Sequence, residues 1–256
     1  MTITYELKNG VATVLIARPD RKNAVDGDTQ IALHRIFETI HNDPEVRAVV
    51  LAGKGGDFCA GADLGKAGTH GITGSLSNMT HLQGMVRSVL VCPKPVIAAV
   101  QGVCIGVGWS LALASDFVIT ATDARYRFAF RNLGLAPDGG ASFHLTRLIG
   151  LQRAKELMYT GRFVSGEEAL ALGLALEALP ADQVMARAQA FARELAAGPT
   201  LAIAMAKTQL NAAGAQTFDE ALNIELIMQP LMTRSDDYQE GVAGFREKRP
   251  PVFTGK

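Results

Sequence analysis

Lys94-Pro95-Val96-Ile97-Ala98-Ala99-Val100-Gln101-Gly102-Val103-Cys104-Ile105-Gly106-Val107-Gly108-Trp109-Ser110 is the stretch that decides the architecture. Pro95–Val100 is a short unbroken apolar run, as expected of a strand buried on both faces. Glycines follow at 102, 106 and 108, and then a helix rich in Ala and Leu over Gly106–Ser115. Such a strand–glycine–helix passage gathers unpaired N–H groups and the positive end of a helix dipole at one point. The familiar nucleotide and nucleophile patterns do not fit it. Leu111 stands where a dinucleotide fingerprint needs its third glycine, and no suitable acidic residue lies about twenty positions on. No Gly-Lys-Ser/Thr follows, as a P-loop requires. Gly108-Trp109-Ser110-Leu111-Ala112 is not the GxSxG of a serine elbow.

Outward from this stretch, strands alternate with helices. Toward the N-terminus, Val46–Ala52 is another buried apolar run, followed by a glycine-rich loop over Gly53–Gly68. Asp28 to about Ile40 carries apolar residues at helical spacing, with Asp26 or Asp28 as cap. Ile3–Lys8 and Val11–Ala17 flank Asn9-Gly10, a hairpin signature because a type I′ turn needs positive φ at both central residues. A helix over 78–92 is ended by Pro93. Toward the C-terminus, Asp116–Thr122 is a third strand, and Pro137–Gly150 opens with a turn and becomes helical. Further helices are predicted near 150–159, 166–172, 181–197, 200–212, 217–231 and 235–248. Strands therefore alternate with helices to about residue 180, an α/β layer pattern, and Gly198-Pro199 marks a joint to a helical tail.

The 256 residues are 48% apolar and 20% charged, enough for a sizeable core. Equal numbers of acidic and basic residues, 25 of each, argue against a general electrostatic grip on nucleic acid or an anionic membrane. Three widely spaced cysteines (59, 92, 104) do not make a disulfide framework and suit a reducing compartment. The five histidines are scattered, with no metal-ligand spacing. No apolar run is long enough to span a bilayer, and the N-terminus lacks signal-peptide organisation. The expectation is a cytoplasmic protein without a metal.

Three other segments carry chemistry, each with a plain alternative. Phe58-Cys59-Ala60-Gly61-Ala62-Asp63-Leu64 reads as an ordinary βα loop, or as a turn whose N–H groups face an anion. Leu133-Gly134-Leu135-Ala136-Pro137-Asp138-Gly139-Gly140 reads as a turn with Asp138 as helix cap, or as the seat of a carboxylate base walled by Phe130, Leu133 and Phe143. Phe245-Arg246-Glu247-Lys248-Arg249 reads as a solvated end, or as a phosphate contact.

Together and in order, these segments resemble the enoyl-CoA hydratase/isomerase (crotonase) family. The resemblance also includes Arg18-Pro19, Asn23-Ala24 and the Lys94–Val100 run. The ending, Ser235 to Gly241 and then Phe253 to Lys256, looks like that of the phenylacetate-pathway isomerases of this family. The resemblance implies an α/β fold: a crotonase-type spiral of ββα units with a C-terminal helical region. It implies residues 1–197 as the core with an acyl-CoA site and 198–256 as a helical oligomerisation region, giving a homotrimer or dimer of trimers. The oxyanion hole would be the N–H groups of Ala62 and Val107, with the Val107 side chain narrowing the pocket. Ala24, Ala60, Asp63, Leu64, Phe245 and Lys248 would hold coenzyme A, which is part of the substrate, so no separate cofactor is expected.

Hydratases of the family carry two glutamates, and the matching positions here are Ser110 and Phe130. Asp138 matches the single carboxylate of several isomerases. The implied activity is double-bond isomerisation of an enoyl-CoA through an enolate, with Asp138 as acid and base. Ser110 is expected to be helix packing. Gly71–Thr80 and Leu76–Val91 are expected to line the acyl pocket, and His70 and His81 to lie at the surface near its cover. Three readings compete: a hydratase of fatty-acid or aromatic-acid degradation, a hydrolase or dehalogenase using Asp138 as nucleophile, and a catalytically silent acyl-CoA-binding protein.

Overall fold

The computed structural model describes residues 2–66 and 71–256; His70 lies outside them. β1 (Ile3–Lys8) and β2 (Val11–Ile16) form the expected antiparallel hairpin, with φ of 51° at Asn9 and 77° at Gly10. α1 (Gly27–Asn42) follows, and Asp26 rather than Asp28 caps it by accepting from the Thr29 N–H. Then come β3 (Ala48–Gly53), α2 (Ile72–Leu90), β4 (Val96–Val100), β5 (Val103–Ile105), α3 (Val107–Ala114), β6 (Phe117–Ala121) and β7 (Arg125–Arg127). α4 (Ala141–Thr160) is broken at Gly150, whose φ of 76° and ψ of 161° are not helical. β8 (Val164–Ser165), α5 (Gly166–Ala171), β9 (Glu177–Leu179) and α6 (Ala181–Ala196) complete the α/β part, and α7 (Thr200–Ala213), α8 (Phe218–Met232) and α9 (Asp236–Glu247) the tail.

The main sheet has the order β1-β2-β3-β4-β6-β9, parallel throughout apart from the β1–β2 pair. A smaller sheet has the order β5-β7-β8. β4-β5-α3 and β6-β7-α4 are successive ββα turns of a spiral, each giving one strand to each sheet before its helix. β3 and β4 are buried along nearly their whole length, which is why they read as unbroken apolar runs. α6 lies across β2, β3, β4, β6 and β9. Its buried residues, Val184, Ala188, Ala192 and Ala196, recur every fourth position and are small, so helix and sheet approach closely.

α2 begins at Ile72, six residues before the predicted start; Thr, Gly, Ser and Asn crowd its first turns and read as loop, although Ile72, Leu76 and Met79 already keep helical spacing. There Ile72 and Leu76, expected to line a pocket, are turned to solvent. Short strands β5, β7, β8 and β9 carry no sequence signal at two or three residues each.

Polar contacts rivet the tail to the core. Lys207 Nζ on α7 meets Asp116 Oδ2 at 2.7 Å, and the same oxygen accepts from the Val96 N–H. Arg47, just before β3, donates to the Gly198 carbonyl, the Thr200 hydroxyl and the Phe253 carbonyl. Among the described residues no helix is long and apolar enough to cross a membrane.

Candidate active site

The chain leaving β3 and the chain leaving β4 meet side by side. Cys59 donates its N–H to the Val103 carbonyl, and Ile105 donates back to the Cys59 carbonyl. This short parallel pairing brings residues 59–62 against the start of α3. The contact leaves no room for side chains: a Cβ on Gly108 would stand 2.5 Å from the Cys59 carbonyl oxygen, and one on Gly61 2.9 Å from that of Ile105. Gly61 also has φ of 98°, which only glycine adopts readily.

The two amides expected to form an oxyanion hole lie on either side of this contact. Val25 donates to the Gly61 carbonyl and accepts from the Asp63 N–H. Pairing of alternate residues in this way turns the Ala62 N–H away from Val25. Val107 is the first residue of α3, where an N–H has no acceptor within its helix. Among the described residues neither amide donates to any acceptor. The Val107 side chain, expected to narrow the pocket, packs toward the Asp138 loop. It is buried, with Cγ2 turned toward Gly139.

Asp138 is no helix cap. Gly140, with φ of 75°, occupies the cap position of α4 without a side-chain bond. The Asp138 carbonyl accepts from the Ala141 N–H at 3.1 Å and the Ser110 hydroxyl at 3.2 Å. Its carboxyl Oδ1 is buried and has no partner among the described residues. Burial alone pushes this carboxyl up to about 6, into the range of a working acid and base near neutral pH. Of the three residues expected to wall it, Phe130 is buried, whereas Leu133 and Phe143 are largely exposed.

Ser110 is fully buried and does more than pack, since its hydroxyl ties α3 to the Asp138 loop. Gly139 sits so close that a Cβ there would be 2.8 Å from Ser110 Cβ. Phe130 ends an aromatic column, stacked on Phe128, which stacks on Trp109 at 4.2 Å. Ser110 and Phe130, the positions at which the resemblance led us to look for glutamates, are thus taken up by a hydrogen bond and by aromatic packing. Cys59 is inert, because burial pushes its thiol up to about 12.

The residues expected to hold coenzyme A divide into two groups. Ala24, Ala60, Asp63 and Leu64 cluster around the β2 exit and the 59–64 loop, with Leu64 exposed. Phe245 and Lys248 stand at the end of α9, Phe245 with 87% of its surface exposed, and no described hydrogen bond or ion pair links them to the loop. Among the described residues no cluster of His, Cys, Asp and Glu could hold a metal. His81 lies on α2, half-buried.

Sequence reasoning gave no role to the polar residues under the loop. Asn23 is fully buried at φ of 58°, and its amide donates to the Lys54 and Asp57 carbonyls. Asp57 in turn accepts from the Val103 N–H at 2.9 Å. The signal in the sequence was the Arg18-Pro19 and Asn23-Ala24 pairs, which carry no chemistry until their partners are known.

Comparison with known proteins agrees with this geometry. The family model for enoyl-CoA hydratase/isomerase matches residues 6–256. The chain is 37% identical over 259 residues to 1,2-epoxyphenylacetyl-CoA isomerase of Escherichia coli, covering 99% of this chain and 98% of that protein. It is 32% identical over 252 residues to enoyl-CoA hydratase domain-containing protein 2 of Homo sapiens, covering 96% and 86%. The crystal structure of enoyl-CoA hydratase from Bacillus anthracis superposes with a TM-score of 0.95 at 30% identity, covering all of both chains. The spiral of ββα units and these full-length likenesses lead to one conclusion: the chain belongs to the enoyl-CoA hydratase/isomerase family.

Proposed function

We propose that the chain is an enoyl-CoA isomerase. Asp138 takes a proton from the carbon alpha or gamma to the thioester of an unsaturated acyl-CoA. The electron pair moves onto the thioester oxygen, where the N–H groups of Ala62 and Val107 hold the enolate. Asp138 then returns the proton to the other end of the conjugated system, and the double bond has moved. One placed donor is worth about 2.7–4 kcal/mol of barrier, and a placed base about 10²–10⁴ in rate.

The observation that carries this reading is the half-buried Asp138 carboxyl, whose Oδ1 is shut from solvent and has no partner among the described residues, with its loop seated on the first turn of α3. Hydration needs a second acid, and the two glutamate positions hold Ser110 and Phe130. The resemblance of the chain's ending points to an aromatic-acid pathway of the phenylacetate type. Coenzyme A lies along Ala24, Ala60, Asp63 and Leu64 in this reading, and Phe245 and Lys248 serve a neighbouring subunit. α8, which buries none of its residues and exposes Phe218, Leu226, Ile227 and Leu231, supports residues 198–256 as the surface of a homotrimer or dimer of trimers in the cytoplasm.

The test is a panel of 2-enoyl- and 3-enoyl-CoA thioesters incubated in deuterated water and followed by mass spectrometry. Isomeric product with deuterium uptake is expected, and Asp138→Asn abolishes both while coenzyme A ester binding persists. Accumulation of 3-hydroxyacyl-CoA instead would make the enzyme a hydratase. Binding without exchange would make it a silent acyl-CoA-binding protein.

A further inference from the structure

Arg18 leaves the end of β2 and reaches under the loop that carries Ala62. Its Nη2 lies 2.8 Å from Asp63 Oδ2 and 3.0 Å from Asp26 Oδ2, and its Nη1 donates to the Ala24 carbonyl at 2.5 Å. Its own N–H donates to Asn23 Oδ1 at 2.9 Å. Each carboxylate it meets divides its oxygens. Asp63 Oδ1 accepts from the Gly65 N–H, closing the turn after Ala62. Asp26 Oδ1 accepts from the Thr29 N–H and hydroxyl, capping α1. The guanidinium therefore joins three pieces of chain: the β2 exit, the start of α1 and the loop at 61–65.

This junction brackets one short ladder. Val25 is held between Ala24, bonded to Arg18, and Asp26, paired with Arg18. On the other strand, Gly61 and Asp63 bond to Val25, and Asp63 pairs with Arg18. The peptide between them is the one whose N–H points out at Ala62. A rigid fork with several donors in one plane can serve all three acceptors at once, which a lysine ammonium on a flexible stem cannot do in the same geometry. Without Arg18 the two carboxylates would keep only the donors on their other oxygens, Gly65 N–H on Asp63 and Thr29 on Asp26.

We propose that Arg18 is a positioning residue of the oxyanion hole: by clamping Asp63 to Ala24 and Asp26 it fixes the direction of the Ala62 N–H toward the thioester oxygen. It touches no substrate. The proposal rests on the isomerase reading only in that an enolate must form against Ala62 and Val107. Misplacement of a reacting group by about 1 Å costs about 10²-fold in rate, so the clamp governs turnover far more than binding.

The test reads the thioester carbonyl directly. A ¹³C-labelled acyl-CoA thioester is bound to the intact enzyme, and difference infrared spectroscopy measures the carbonyl stretch against that of the free ester. The unaltered enzyme should lower the stretch. Arg18→Met should lose most of that shift and about 10- to 100-fold in kcat, with less than about threefold change in the Kd of the ester. Arg18→Lys, which keeps the charge and loses the fork, should fall between. Should Arg18→Met fail to fold, Asp63→Asn, in which Arg18 keeps its bonds to Asp26 and Ala24, is read by the carbonyl shift at saturating ester alone, because coenzyme A itself lies along Asp63. A full carbonyl shift in folded Arg18→Met would overturn this inference alone. A retained shift with Kd raised more than about tenfold would also overturn it, by making Arg18 a ligand contact. An unshifted carbonyl in the unaltered enzyme would overturn the oxyanion reading itself, and this inference with it.

Discussion

The pH dependence of proton exchange follows from where Asp138 sits. Burial with no compensating bond raises its carboxyl from the ordinary 3.8 to about 6. Only the ionised form removes a proton. Its share climbs from about 0.1 at pH 5 to about 0.9 at pH 7, so the first-order exchange rate should rise about tenfold over that interval. An ordinary carboxyl would already be about nine-tenths ionised at pH 5 and would give a nearly flat profile. The assay is deuterium uptake from buffered deuterated water into a bound enoyl-CoA, with the glass-electrode reading corrected for the isotope. Stability supplies an independent arm. The folded-state value is raised, so ionisation is the form the fold disfavours. The penalty is absent below about pH 4, where the group is protonated folded and unfolded, and complete above about pH 6. The rise to about 6 corresponds to at most about 3 kcal/mol, reduced to about 1–2 kcal/mol by the solvent that still reaches the carboxyl. Asp138→Asn should therefore abolish exchange yet raise stability by that amount at pH 7.5, and the gain should vanish near pH 4. A rate midpoint near pH 4, or an Asn variant less stable at pH 7.5, would refute the picture of an unpaired buried base.

Three further outcomes are expected. Gly108→Ala, whose Cβ would stand 2.5 Å from the Cys59 carbonyl, should drive the 59–62 loop off α3 and cut kcat by about 10²-fold, read by steady-state kinetics beside a circular dichroism check of folding. Ser110→Glu should not produce 3-hydroxyacyl-CoA, because the side chain is fully buried against Gly139 and a carboxylate there would be unpaired; product analysis by mass spectrometry checks it. Lys207→Met leaves the partly buried Asp116 with the Val96 N–H but without its 2.7 Å ammonium partner, and denaturant unfolding should record a loss of about 1–3 kcal/mol.

The amino-acid sequence by itself determined the elements whose physics is local. Asn9-Gly10 could only turn one way, the unbroken apolar runs at β3 and β4 had to be strands covered on both faces, and the amphipathic spacing over 28–40 had to be a helix. The ordered motifs also carried the family. Contacts across long separations decided the rest. Pro137-Asp138-Gly139-Gly140 looks like a cap in isolation, and only the Ser110 hydroxyl on the Asp138 carbonyl, with Gly140 in the cap position, frees the carboxyl. Its raised pKa is a property of burial, which no local pattern encodes. Likewise the Ala62 and Val107 amides, 45 residues apart in sequence, flank one backbone contact because Cys59 and Cys104 pair. Arg18 finds its ion pairs only when folding brings Asp26 and Asp63 around it. Backbone propensity acts over a few residues, whereas desolvation and hydrogen-bond direction depend on neighbours that folding alone brings together.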